Sequence, residues 1–319
     1  MGKIPKTNNS KPNSHLQLTT NNHYTMRIII TGSEGFIGTE LVKQCLAAGI
    51  EVFGFDLLKK NELSYGFKVG DVRDPAIADS FPEGADAVVH LAALSRDKDC
   101  ARDPYEAFAT NVMGTLNIMR IAQAKKTKQF IFPSSEWVYE KFIGNEEKDE
   151  DAFIDIAGHT SEYALTKLVS EANLREQYKR GFIPVTIFRF SIVYGPRKND
   201  WCAVEAVADD VRRNDTVTLM RSRKSGRRFV HVTDIARGIR MALGRTDFQI
   251  INLSGDKMIT MGDVVSESEK LFNKKVKIIE SNPNDANTRN PSNKKAKELL
   301  GWKPQIDLAA GLKTIEPYL

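Results

Sequence analysis

"MRIIITGSEGFIGTELVKQCLAAGIEVFGFD", residues 26–56, sets out its signals in a fixed order. The isoleucines at 28–30 form a β-branched run suited to a central parallel strand buried on both faces. Gly32, Gly35 and Gly38 follow at G-x-x-G-x-x-G spacing, and Phe36 and Ile37 open an amphipathic helix between the last two. One glycine permits a tight turn, one lets backbone approach a pyrophosphate, and one lets helix and strand pack closely. The N–H groups and positive dipole end of that helix point at phosphates. A second apolar strand then ends in Asp56. A carboxylate about twenty residues after the glycines accepts hydrogen bonds from an adenosine ribose and repels a 2′-phosphate, favouring NAD over NADP. Lys59 and Lys60 beside it argue the other way.

Outward from this unit, further strands come at regular intervals. They are "FKV" before "GDVRD" (70–74), "AVVHLAA" (87–93), "KQFIFPSS" (128–135) and "PVTIFRF" (184–190). Helical stretches separate them, notably 104–124 and 160–180. Such alternation predicts an α/β fold, a Rossmann-type doubly wound parallel sheet with ligands at the carboxyl ends of its strands. The glycine turn, Asp56, Asp71, "HLAA" and "PSS" all fall at such ends.

At 319 residues and 41% apolar, the chain can bury a large core. Cys45, Cys100 and Cys202 lie far apart without C-x-x-C spacing, which fits a reducing, cytoplasmic setting rather than a disulfide framework or zinc site. No His/Asp/Cys cluster has metal-ligand spacing, so no metal is expected. The longest apolar runs are too short to span a bilayer. Residues 1–25 are polar, have no signal-peptide centre and read as a disordered extension, with folding expected from Met26, which could be a native start. The net charge is +5, and basic residues bunch in "RSRKSGRR" (221–228). Such a run can hold phosphates or nucleic acid, or be a solvated loop.

"EYALTKLVSE" (162–171) places Tyr163 and Lys167 four apart on one helix face, after the strand that ends in "PSSEWVYE". Free tyrosine, with a pKa near 10, is a poor base at neutral pH. A neighbouring ammonium and a positive nicotinamide both favour phenolate. Ser135 can hydrogen-bond the same substrate oxygen, so the three can move a proton while a hydride goes to NAD⁺.

With these motifs, the chain over residues 26–319 resembles the extended short-chain dehydrogenase/reductases, specifically the NAD-dependent epimerase/dehydratase family acting on nucleotide sugars. The residues that carry the resemblance are "TGSEGFIG", Asp56, "GDVRD", "HLAA", Asn111 in "NVMGTLN", "SSEWVY", "YALTK", "FRFSIVYGPR", "RRFVHVTDIARGI" and "LLGWKPQI". It implies Tyr163 as base, Lys167 on the nicotinamide ribose and Ser135 as third member. It implies NAD contacts at the glycine turn (Gly32, Gly35, Phe36, Ile37, Gly38), Asp56, Asp71, Val72, Leu91, Ala92 and Ala93. Asn111 would hold the active-site backbone in place or serve as a structural cap. The resemblance also implies a Rossmann domain over 26–191 and a smaller C-terminal α/β substrate-binding lobe over 192–319, some of whose strands return to the sheet. Arg227 and Arg197 would meet the diphosphate of a nucleotide sugar through bidentate guanidinium contacts. On that basis a sugar nucleotide explains the basic run better than nucleic acid. A homodimer through helices 104–124 and 160–180 follows by analogy. His90, His159, His231 and Cys100 read as structural.

Three departures stand out. Glu140 replaces the glycine expected after "VY", "GHTSEY" replaces a proline-containing approach to Tyr163, and Glu136 follows Ser135 where epimerases carry a small residue. A carboxylate at 136 is half of a 4,6-dehydratase signature, whose second acid is replaced here by Trp137. The expected activity is a 4-epimerase, with a dehydratase using Glu136 as the alternative. A non-catalytic NAD(H)-binding protein is a third reading.

Overall fold

The computed structural model describes residues 25–59, 64–144 and 146–319. Apart from Thr25, the extension expected over residues 1–25 lies outside the described residues, and so does Lys60.

The strands of the first half are β1 (Arg27–Thr31), β2 (Glu51–Asp56), β3 (Gly66–Val69), β4 (Ala87–His90), β5 (Phe130–Ser135) and β6 (Val185–Phe190). Those of the second half are β7 (Val193–Tyr194), β8 (Thr216–Leu219), β9 (Gly226–Arg227), β10 (Val230–His231), β11 (Phe248–Leu253), β12 (Ile259–Thr260), β13 (Lys277–Glu280) and β14 (Thr288–Arg289). The α-helices are α1 (Phe36–Ala47), α2 (Asp97–Arg102), α3 (Pro104–Phe108), α4 (Gly114–Ala124), α5 (Glu162–Lys179), α6 (Ala203–Arg213), α7 (Val232–Met241), α8 (Met261–Leu271), α9 (Lys294–Leu300) and α10 (Leu308–Ile315).

Seven strands form one sheet in the order β11-β6-β5-β4-β1-β2-β3, every pair parallel. The order reverses between β1 and β4, the switch point at which such sheets bind ligands. The isoleucine run explains why β1 is central. Ile28, Ile29 and Ile30 are each fully buried, and strand alternation sends them to opposite faces. Ile28 and Ile30 pack with Leu41 and Cys45 of α1 and Ile235 and Ile239 of α7. Ile29 packs with Phe55, with Ile118 and Ile121 of α4 and with Leu174 of α5. Truncating one such side chain costs roughly 2–5 kcal/mol.

The second half serves two layers. Strand β11 extends the large sheet beside β6, and α7 covers α1, so both belong to the core of the large sheet. Fully buried Trp302 joins that core, and its indole N–H donates to the Asp234 carbonyl at 2.9 Å. The Asp234 carboxylate accepts from the backbone N–H groups of Gln305 and Ile306, both at 2.9 Å. These bonds tie "HVTDIARGI" to "GWKPQI". The lobe proper has its own core of Val204 and Ala208 on α6, Val264 on α8, and Leu308, Leu312 and Ile315 on α10. Its small sheets pair β12 with β9 and β9 with β14, and β8 with β13. No described helix is long and apolar enough to cross a membrane.

Candidate active site

The glycine turn leaves β1 through Gly32, whose φ is +73° and whose N–H donates to the Phe55 carbonyl at 2.7 Å. A Cβ there would stand 2.7 Å from the Ala92 amide nitrogen, so the ends of β1 and β4 approach too closely for any side chain. A Cβ at Gly38 would stand 2.1 Å from the Gly32 carbonyl oxygen. Helix α1 begins after Gly35 with no side-chain cap and no acid in its first turn. Its leading N–H groups are therefore available to an anion, as a pyrophosphate requires. Asp56, at the end of β2, accepts from the Glu34 N–H at 3.0 Å and the Leu57 N–H at 2.8 Å. Those two bonds orient a carboxylate that still has lone pairs for ribose hydroxyls. These residues fit a dinucleotide.

After β3, Asp71 is fixed by the Arg73 side chain, which holds its carboxyl below the usual range. The Val72 carbonyl accepts from the Asn117 side chain at 2.8 Å. After β4, the Leu91 N–H bonds the Thr31 carbonyl at 3.0 Å and the Ala92 N–H bonds the Thr31 hydroxyl at 3.3 Å. The residues expected at the cofactor thus line the carboxyl ends of β1 to β4.

Ser135 is the last residue of β5 and accepts from the Trp137 N–H at 3.2 Å, capping a short 3₁₀ turn over Glu136–Tyr139. Helix α5 is started by Ser161, which accepts from the Ala164 N–H at 3.0 Å and donates to Asp97 at 2.6 Å. Its first two turns carry Tyr163 and Lys167. The Lys167 ammonium lies 5.8 Å from the Tyr163 ring centre and 4.7 Å from the Phe132 ring centre. Burial brings Lys167 down to about 8, partly offset by Cys100 and Glu171. Burial also holds the Tyr163 hydroxyl above its ordinary value, Cys100 adds to this, and a hydrogen bond with Ser135 acts against it. In the protein alone desolvation dominates at this phenol; the expected lowering rests on the ammonium together with a positive nicotinamide.

Asn111 is 1% exposed and sits in a π-helical turn, Ala109–Met113, between α3 and α4. Its side chain accepts from the Leu94 N–H at 2.8 Å and donates to the Leu94 carbonyl at 2.9 Å and the Thr166 hydroxyl at 3.0 Å. It clamps the loop after β4 to the helix that carries Tyr163. His90 is buried between the Thr31 and Thr115 hydroxyls at 2.7 and 3.1 Å, and burial lowers it to about 3. It is neutral and structural. His159 bonds the Val138 carbonyl at 3.0 Å, and His231 caps α7 and meets Thr314 at 3.0 Å. Among the described residues no group of three or more His, Cys, Asp or Glu is placed to hold a metal.

Glu136 is fully buried. One carboxylate oxygen accepts from Ser191 at 3.0 Å and the other has no hydrogen-bond partner. Burial raises its pKa, while Arg289 and then Arg227 pull it back down. Those arginines come from the lobe, where β14 and β9 run parallel and place Arg289 directly opposite Arg227. The Arg227 guanidinium donates to the Gly226 and Asn287 carbonyls, both at 2.7 Å, and to the Asn287 side chain at 2.8 Å. Arg289 stacks 4.3 Å over the Trp137 ring. Arg289 was missed in the sequence because an arginine in a polar loop carries no signal until β14 pairs.

Arg197 is engaged internally. Its guanidinium pairs with buried Glu205 at 2.9 Å and lies 4.3 Å from the Phe36 ring centre. The basic run is largely neutralised from elsewhere: Arg221 by Asp285 at 3.0 Å, Arg223 by Glu280 at 3.4 Å and Arg228 by Glu147 at 2.8 Å.

The chain is similar in sequence and fold to known proteins. UDP-glucuronic acid decarboxylase 5 of Arabidopsis thaliana is 28% identical over 91% of this chain and 88% of that protein. An uncharacterized UDP-glucose epimerase of Bacillus subtilis is 28% identical over 92% of this chain and 98% of that protein. The solved UDP-glucuronic acid 4-epimerase of Bacillus cereus, in complex with UDP-4-deoxy-4-fluoro-glucuronic acid and NAD, superposes with a TM-score of 0.80 at 25% identity. That match covers 92% of this chain and 98% of the other. The family model for NAD dependent epimerase/dehydratases matches residues 28–254, and the chain belongs to that family.

Proposed function

We propose that this protein is an NAD-dependent UDP-sugar 4-epimerase that works by transient oxidation at sugar C4. The observation that carries the reading is the convergence of Ser135, Tyr163 and Lys167 at the end of β5, beside an uncapped helix and opposite two arginines. NAD, when bound, supplies reversible hydride acceptance. Arg227 and Arg289 grip the diphosphate, their guanidiniums suiting paired phosphate oxygens. Arg197, spent on Glu205, contributes to the shape of that wall. Ser135 hydrogen-bonds the C4 oxygen, Tyr163 takes its hydroxyl proton and later gives it back, and Lys167 provides the fixed positive charge that favours phenolate. Between the two half-reactions the 4-keto sugar turns over, so that the opposite C4 configuration forms. Carbon skeleton and mass are unchanged.

Glu136 favours a second reading. A buried carboxyl with one oxygen unpartnered and a raised pKa holds a proton more readily than an exposed one, as loss of a hydroxyl neighbouring the 4-keto group requires. Incubation with NAD⁺ and UDP-sugars in D₂O, followed by mass spectrometry and NMR, separates the two. Unchanged mass, no deuterium and inverted C4 establish the epimerase; loss of water with deuterium in the sugar establishes the dehydratase.

The same family reading supports a homodimer through α4 and α5 and their neighbours. Tyr105, Met113 and Val169 are apolar side chains exposed there, and light scattering gives the mass that tests it.

A further inference from the structure

The two arginines of the lobe are held by different means. Arg227 spends donors on protein oxygens, the Gly226 and Asn287 carbonyls and the Asn287 side chain. Arg289 is 6% exposed, yet among the described residues its guanidinium makes one hydrogen bond, a long one of 3.4 Å to the Glu136 carbonyl. Glu136 and Glu140 act on it through charge alone. What packs against it is a ring. The guanidinium carbon lies 4.3 Å from the ring centre of half-buried Trp137 and 6.0 Å from that of Phe142. Trp137 is itself fixed beside the reaction centre, because its backbone N–H donates to the Ser135 hydroxyl at 3.2 Å.

We infer that Trp137 is a positioning residue, which holds the Arg289 guanidinium for the substrate diphosphate without using up its donors. This rests on the reading of Arg227 and Arg289 as the diphosphate grip. A guanidinium carries its N–H donors in its own plane, so the side chain that fixes it decides how many are left for a ligand. A carboxylate at position 137 would take two of them in a bidentate pair and cancel the charge. An aromatic ring attracts the same cation through its quadrupole and takes no donor. The arginine is thus oriented while its edge stays open to phosphate oxygens. Trp137, standing where a 4,6-dehydratase would carry its second acid, has in this chain a use of its own.

The test is calorimetric titration of the NAD-loaded protein with UDP, for the wild type, Trp137→Phe, Trp137→Ala, Trp137→Glu, Arg289→Ala and the double variant Trp137→Ala with Arg289→Ala. Trp137→Ala should weaken UDP binding about tenfold, and Trp137→Phe, with a poorer ring for a cation, about threefold. Trp137→Glu should weaken it more than Trp137→Ala, since it consumes donors and adds a negative charge. In the Arg289→Ala background the effect of Trp137→Ala should shrink to about twofold or less, because Trp137 acts through the arginine. An equal loss in both backgrounds, or Trp137→Glu binding UDP as well as Trp137→Ala, overturns the assignment. Where Trp137→Ala does not fold, the other two single variants decide: weaker binding by Trp137→Glu than by Trp137→Phe supports the inference, and equal binding overturns it. A wild type that binds no UDP overturns the diphosphate reading, and this inference with it. A wild type that binds UDP beside Trp137 variants that bind it equally well overturns this inference alone.

Discussion

Arg227 and Arg289 stand opposite each other on two parallel strands of the lobe, both drawn below their ordinary pKa by burial, with Arg227 at about 10. Two buried guanidiniums side by side repel each other; Glu136 acts on both, and Glu140 also acts on Arg289. Such a pair persists where an anion of higher charge completes it. Replacing either arginine by Ala should raise KM for the UDP-sugar ten- to a hundredfold, the value of a charge-assisted hydrogen bond of about 1.5–3 kcal/mol. Lys should rescue only in part because it lacks the forked donors. Steady-state kinetics check this. A loss confined to kcat would place the arginines elsewhere in the reaction.

Glu136 allows a prediction about stability and one about rate. Its folded-state pKa is raised, chiefly by burial, so keeping it ionised costs stability at neutral pH. The cost is lost as pH falls through the folded pKa, where the acid takes up its proton. Glu136→Gln should therefore have a higher Tm than the wild type near pH 8, with the advantage disappearing toward pH 4. On the epimerase reading its rate should move by less than tenfold. A hundredfold loss assigns proton transfer to Glu136 and favours dehydration.

Much of this site could be read along the chain, because the glycine turn, Asp56, Ser135, Tyr163 and Lys167 each lie beside the periodic run that forms their element. Helix 104–124 was legible as one stretch, though it is built as α3, a π turn at Asn111 and α4. What could not be read depends on pairing at a distance. Arg289 becomes a site residue when β14 pairs with β9, and Glu205 takes Arg197 for itself. Division of the chain by sequence order also differs from division by packing, since β11, α7 and Trp302 return to the core of the large sheet.

Tyr163→Phe should lower kcat by about 10²–10⁴, the usual scale for a positioned acid–base group, with little change in KM. Lys167→Met should lower kcat as well, and it carries a pH signature. Because burial lowers Lys167 to about 8 from an ordinary 10.5, its proton is bound less tightly in the folded chain than in the unfolded one. That cost, roughly 3 kcal/mol at most, is fully present below pH 8, shrinks between 8 and 10.5, and vanishes above. Lys167→Met should thus melt above the wild type at pH 7 and converge with it near pH 10. A gap that widens with pH would overturn this account.

Two glycines at the ends of α1 should behave in opposite ways. A Cβ at Gly38 meets the Gly32 carbonyl oxygen at 2.1 Å, backbone against backbone, so the turn must open to admit it. Gly38→Ala should lose NAD binding and lower Tm together, since one distortion moves both the helix start and the phosphate-facing N–H groups. Gly49, just past the other end, has φ +73° and nothing within 4 Å of a built Cβ. Gly49→Ala pays only the left-handed backbone strain, about 1–2 kcal/mol, and should bind NAD as the wild type does. Calorimetric Tm and NAD titration of the two variants check the contrast. Equal loss of binding in both would mean that helix stability, rather than the close approach at the turn, governs the dinucleotide site.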